Sequence, residues 1–108
     1  MKTLHLNVKK KWFDLIAAGE KKIEYRKYKP YWQRRLIKSV GIVIIMHVFD
    51  EIHFKNGFKR KNGSEAPFMR VKHIGTSVDE VIFPGKKEPE EYFSICLGKI
   101  LEIRNWNK

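Results

Sequence analysis

Gly19-Glu20-Lys21-Lys22-Ile23-Glu24-Tyr25-Arg26 sets a lysine, a glutamate and an arginine at short fixed spacing behind a glycine. A glycine just past an apolar helical run is a common left-handed stop, and an extended segment beginning at Lys21 sends alternate side chains to opposite faces. On that reading Ile23 and Tyr25 turn to a core, while Lys22, Glu24 and Arg26 share the other face and Lys21 stands at the strand mouth. One acceptor among cations can do two kinds of work. As chemistry, Lys21 serves as base or nucleophile, Glu24 handles the second proton and Arg26 holds an oxyanion or phosphate. As architecture, Glu24 and Arg26 form a cross-strand ion pair that braces the barrel.

The flanking sequence supplies the elements that would place these groups. Leu4, Leu6 and Val8 alternate with His5 and Asn7, the pattern of a half-buried strand. From about Lys9 the period becomes helical: Trp12, Leu15, Ile16 and Gly19 fall on one face, widened by Phe13 and Ala17. Lys9, Lys10 and Lys11 occupy the first turn, where the helix dipole disfavours a cation by ~0.3 to 1 kcal/mol. They are either solvated lysines at an exposed end or residues kept for a polyanion. Pro30 suits the first position of a short helix with Trp32 and Leu36 inward and Arg34 and Arg35 outward. Tyr28, Tyr31 and Trp32 interleave with Lys27, Lys29, Arg34 and Arg35, and rings between cations suit single-stranded nucleic acid, although Trp32 and a tyrosine can equally belong to a core.

Further on, Val40 to Val48 reads as a buried strand, Glu51-Ile52-His53-Phe54 as another, and Asn56-Gly57 as a turn. Lys59 to Ala66 reads as a basic loop at the tip of a hairpin, followed by a strand from Phe68 to Ile74. Asp79 to Pro89 reads as turn and loop. The last strand, Phe93 to Arg104, carries Phe93, Ile95, Leu97, Leu101 and Ile103 on one parity, with Gly98 marking a bulge or bend. Five or six strands with one long and one short helix predict an α+β fold, a small, mostly antiparallel β-barrel formed by a single domain over residues 1–108.

The chain carries 23 Lys plus Arg against 12 Asp plus Glu, a formal net charge of +11. The excess is clustered: residues 9–38 hold eleven basic side chains against Asp14, Glu20 and Glu24. Lys55 to Lys72 is basic as well, whereas Asp79 to Glu91 is acidic, so the molecule should have a positive and a negative side. Such a balance points to a polyanion such as nucleic acid, with an acidic protein partner as a second class. His5, His47, His53 and His73 are far apart and Cys96 is far from all of them, which gives no metal pattern; no phosphate-cradling loop or serine elbow is present, and no cofactor is expected. The mostly apolar run Val40 to Phe49, at ten residues, is about half of a membrane span. With no leader pattern and no possible internal disulfide, a cytoplasmic protein is expected.

The Gly19-x-Lys21-x-x-Glu24-x-Arg26 pattern resembles that of the ASCH domain family, a branch of the PUA-like barrels. The likeness extends over most of the chain, through Tyr31-Trp32, Arg34-Arg35-Leu36, Phe54-Lys55-Asn56-Gly57-Phe58 and Pro67-Phe68-Met69-Arg70-Val71. The resemblance implies a small PUA-like barrel with a basic cleft into which Lys21, Glu24 and Arg26 project, holding single-stranded RNA or a modified nucleotide. Expected nucleic-acid contacts are Lys9, Lys22, Arg26, Tyr28, Tyr31, Arg34, Arg35, Asn56, Phe58 and Arg70. A bacterial branch of the family shares Lys21 and Arg26 and deacetylates N4-acetylcytidine, but carries threonine where this chain has Glu24. The alternative function is therefore a hydrolase, amidohydrolase or ribonuclease, with Lys21 and Glu24 as its catalytic pair.

Overall fold

The computed structural model describes residues 1–57 and 65–106. Its elements are β1 (Thr3–Asn7), α1 (Lys10–Ala17), β2 (Ile23–Lys27), α2 (Pro30–Leu36), β3 (Ile37–Val40), β4 (Val43–Met46), β5 (Glu51–Lys55), β6 (Phe68–Val81) and β7 (Glu90–Arg104). Five strands form one sheet in the order β1-β5-β6-β7-β2, and β3 and β4 form a separate two-stranded ribbon. Within the sheet β1 and β5 run parallel, and the other pairs are antiparallel. Strands β1 and β2 are its two edges. Arg26 on β2 donates to the Asn7 carbonyl on β1 at 3.1 Å, so the sheet curls until its edges meet. The result is a half-barrel of the PUA-like type, as the sequence predicts.

Alternation along the strands fills the inside of the curl. Leu4, Leu6, Ile52, Phe54, Met69, Val71, Phe93 and Ile95 are buried there, joined by Phe13 and Ile16 from α1 and Leu36 from α2. Each fully buried side chain of this size stabilises the fold by ~1.5–3 kcal/mol. Helix α1 is docked a second way, because Trp106 Nε1 donates to Asp14 Oδ1 at 3.0 Å. It stops where expected, with Gly19 at φ 78°, a conformation that costs glycine little.

Three expectations change. Val40 to Val48 is not a buried strand. Gly41, at φ 61°, reverses the chain with Ile42 as a two-residue turn, and Val40 pairs with Val43. Ile37 and Met46 at the base of the ribbon pack inward, whereas Val43, Ile44 and Ile45 are about half exposed and Ile42 is fully exposed. Second, Asp79 to Val81 are strand rather than loop, and the last strand begins at Glu90 rather than Phe93, with Glu80 opposite Glu91. Their polar side chains hide the pairing, which the packing of Val78 against the core and the Phe83–Tyr92 contact at 4.8 Å sustain. Third, Leu101 leaves the apolar parity and is 40% exposed. The register slips at three points between Arg70 and Gly75, next to Gly98, where a Cβ would lie 3.2 Å from the Lys72 carbonyl oxygen. The expected basic loop falls largely outside the described residues.

Candidate nucleic-acid interface

Strand β2 pairs with β7 so that Glu24 lies opposite Ile95 and Arg26 opposite Phe93, both core residues. The polar pair therefore occupies the inner face of an edge strand. Glu24 Oε2 accepts from Arg26 Nε at 3.1 Å and Nη2 at 2.7 Å, and Oε1 lies 3.2 Å from Lys21 Nζ. The three side chains are 9%, 19% and 16% exposed, so the triad is largely withdrawn from water. Burial of the carboxylate is offset by two cations, and Lys21 Nζ also donates to the Ile23 carbonyl at 2.6 Å. Lys21, Glu24 and Arg26 are thus brought together, but the Glu24–Arg26 pair lies within β2 rather than across strands, and it is the bond from Arg26 to the Asn7 carbonyl that ties β2 to β1. The strand starts at Ile23, not Lys21, and Lys22 is exposed, apart from the triad.

The expectation that Ile23 and Tyr25 face the core is reversed. Both are half-buried on the outer face. Alternation alone gives the apolar set to the core, but here the charges satisfy one another inside while Ile23 and Tyr25 find other apolar cover. Tyr25 meets Phe83 edge to face at 5.3 Å and Tyr92 at 6.3 Å. With Trp12 these rings wall a recess of about 690 Å³ that Lys21 and Lys22 also line. A second hollow, of about 410 Å³, opens beside it between Lys9, Arg26, Lys29 and Trp32. Trp12, Glu24, Tyr25 and Tyr92 line both hollows. Trp12 is 40% exposed, with Lys11 Nζ 4.9 Å and Lys21 Nζ 5.2 Å from its ring centre.

A family model for the ASCH domain matches residues 6–106, nearly the whole chain. This chain belongs to the ASCH domain family. No curated protein and no solved structure matches it.

In this ASCH domain Lys9 is the N-cap of α1 and makes no side-chain cap, and the first turn has no acidic residue. On α2, Arg34 and Arg35 are exposed, and Arg35 lies 4.7 Å over the Tyr31 ring, itself 51% exposed. Trp32 is half-buried against the core under Arg26, whose guanidinium is 4.9 Å from its ring centre. Tyr28 packs on Phe93 at 5.0 Å, mostly as scaffold, although its edge lines a hollow with Arg34. Asn56 is a turn lock: its Nδ2 donates to the Val8 carbonyl at 3.0 Å. Arg70 is held by Glu51 at 2.7 and 2.9 Å and by Glu102 at 3.0 Å. Arg70, and then His53, lower the Glu51 carboxyl from its ordinary 4.5 to about 2, while Glu51 and Glu102 hold the Arg70 guanidinium above its ordinary range. Phe58 lies outside the described residues.

The structure also shows what the sequence reading passed over. Phe83 and Tyr92 complete the ring-walled recess, and His5, His53, Lys55, Phe68 and Arg104 line a groove on the far side of β1. Strict alternation in β1 and β5 is the signal that would have placed His5, His53 and Lys55 on one surface.

Proposed function

We propose that this ASCH domain binds single-stranded RNA, with an unstacked base in the recess beside the Lys21–Glu24–Arg26 triad and the backbone along the surrounding cations. The observation that carries this reading is the recess walled by Trp12, Tyr25, Phe83 and Tyr92 with lysines at its rim. A flat base buries its faces on such rings, and lysine and arginine meet the phosphates. The uncapped, lysine-rich start of α1 supports it, since those cations oppose the helix dipole. Nucleic acid is the partner in this reading, and RNA is favoured because RNA recognition mostly targets unstacked single-stranded bases held on aromatic side chains.

The test is a titration of fluorescent RNA by anisotropy, with wild type beside Trp12→Ala. Trp12 is partly exposed and its indole makes no hydrogen bond among the contacts described, so truncating it should spare the fold and weaken binding about tenfold, the scale of one lost stacking contact. Undetectable binding at low salt, or equal affinity of the two proteins, would reject the reading. Release of the acyl group from N4-acylcytidine, scored on the same samples and on Lys21→Ala, tests the hydrolase alternative.

A further inference from the structure

Because the apolar residues of β1, β5 and β6 fill the core, the alternate residues stand on the outer face of the sheet. The register lines them up in two rows across the strands. In one, His5 is opposite His53, His53 opposite Arg70 and Arg70 opposite Glu102; in the next, Asn7, Lys55, Phe68 and Arg104 follow in the same way. The rings touch. His5 and His53 meet edge to face at 5.3 Å, His53 and Phe68 at 5.2 Å, and the Arg104 guanidinium lies 4.3 Å from the Phe68 ring centre.

The face is held in place by charge-assisted bonds. Glu51 holds Arg70 and, at 3.0 Å, the His53 Nε2, and Glu102 holds Arg70 and, at 2.9 Å, the Arg104 Nε. His53, Phe68, Arg70 and Arg104 line a hollow of about 720 Å³ that adjoins another of about 550 Å³ reaching Arg26, Tyr31 and Arg35. His5, Asn7, His53 and Lys55 line both hollows. At each end of the groove an arginine is stacked on a ring, Arg104 on Phe68 and Arg35 on Tyr31. A guanidinium stacked by one face leaves the other for a base.

We propose that the outer face of β1, β5, β6 and β7 is a stacking platform for about two or three nucleotides of a single-stranded RNA, as a broad sheet bearing rings can provide. It rests on the RNA reading of the recess, and Arg26, which lines both the smaller hollow of the platform and the hollow that opens beside the recess, connects them. Charge complementarity selects the occupant. Glu51 and Glu102 are already paired with arginines, and Glu65, the one described acid that lines the larger hollow, shares it with Lys55, Arg70 and Arg104, so the face offers Lys55 and the unpaired sides of Arg35 and Arg104 to phosphates between the bases. A duplex hides its bases and cannot use the rings.

The experiment compares RNAs of about 4 and about 12 nucleotides, lengths that bracket one small binding module. Wild type, Trp12→Ala and a His5→Ala/His53→Ala double variant are titrated after thermal melts, with Lys55→Glu as a second platform variant should the double variant melt early. The platform variants should lose about tenfold or more on the longer RNA and little on the shorter, whereas Trp12→Ala should weaken both. Equal affinity of wild type and both platform variants for the longer RNA would overturn the platform and leave the recess reading standing. Wild type that binds neither RNA would overturn the recess reading and the platform with it.

Discussion

Glu24→Gln removes one negative charge, keeps the shape of the side chain, and tests whether the motif is a structural brace. In the folded protein Glu24 Oε2 accepts two hydrogen bonds from Arg26, and Oε1 faces Lys21 at 3.2 Å. Losing one partner of a buried ion pair costs ~3–5 kcal/mol, because a charge is left without its partner. Here the cations keep the Asn7 and Ile23 carbonyls and are 19% and 16% exposed, which moves the expectation down to ~2–4 kcal/mol. For a chain of this size that is a fall in melting temperature of about 8–16 °C, at roughly 4 °C per kcal/mol. Ile23→Ala, from a half-buried position on the outer face, should cost ~1–2 kcal/mol, less than a core isoleucine. Calorimetric melts of the two variants and of Lys21→Met decide the matter. A second comparison adds Glu24→Gln to Lys21→Met, and the double variant should recover part of the loss because one unpaired cation is gone. Glu24→Gln melting within about 2 °C of wild type, or Ile23→Ala melting below Glu24→Gln, would refute the brace.

Reversing Arg34 and Arg35 to glutamate, both exposed on α2, should leave the melt within about 0.5 kcal/mol of wild type and weaken RNA binding across sequences; titrations between about 50 and about 200 mM salt should show a shallower salt dependence for the variant. Acid should unfold the protein partly through Glu51, because the unfolded chain takes up a proton as pH falls below 4.5 while the folded carboxyl resists to about 2. That contribution is complete above pH 4.5 and lost on the way to about 2, so Glu51→Gln should flatten this limb in melts run against pH. His73, whose ring burial lowers its pKa from 6.5, acts in the same direction at higher pH: its neutral Nδ1 accepts the Phe49 N–H at 3.1 Å, and stability should decline as pH drops below 6.5. Lysine at Ile42 and Ile45 should change the melting temperature by under about 3 °C and raise the concentration at which the protein stays dispersed, read by light scattering, since both side chains are exposed on an unprotected ribbon.

Short-range physics written in the sequence determined α1 with its glycine stop, α2 from Pro30 with Leu36 inward, the alternation of β1 and the turn at Asn56-Gly57. Each rests on neighbours a few residues apart. The meeting of Lys21, Glu24 and Arg26 was legible for the same reason. Which way they face was not, because the direction of an edge strand depends on its partner in the sheet: the register with β7 sets Glu24 beside Ile95, and Phe83 and Tyr92, about sixty residues away in the chain, supply the apolar cover that lets Ile23 and Tyr25 turn outward. The apolar run after Val40 misled because composition says that a strand could be buried but not whether a layer is there to cover it. Gly41-Ile42 was the local sign of a ribbon, and only the finished fold shows its outer half uncovered. The groove on the outer sheet face likewise joins His5, His53, Phe68 and Arg104 from four strands, and long-range pairing alone makes them neighbours.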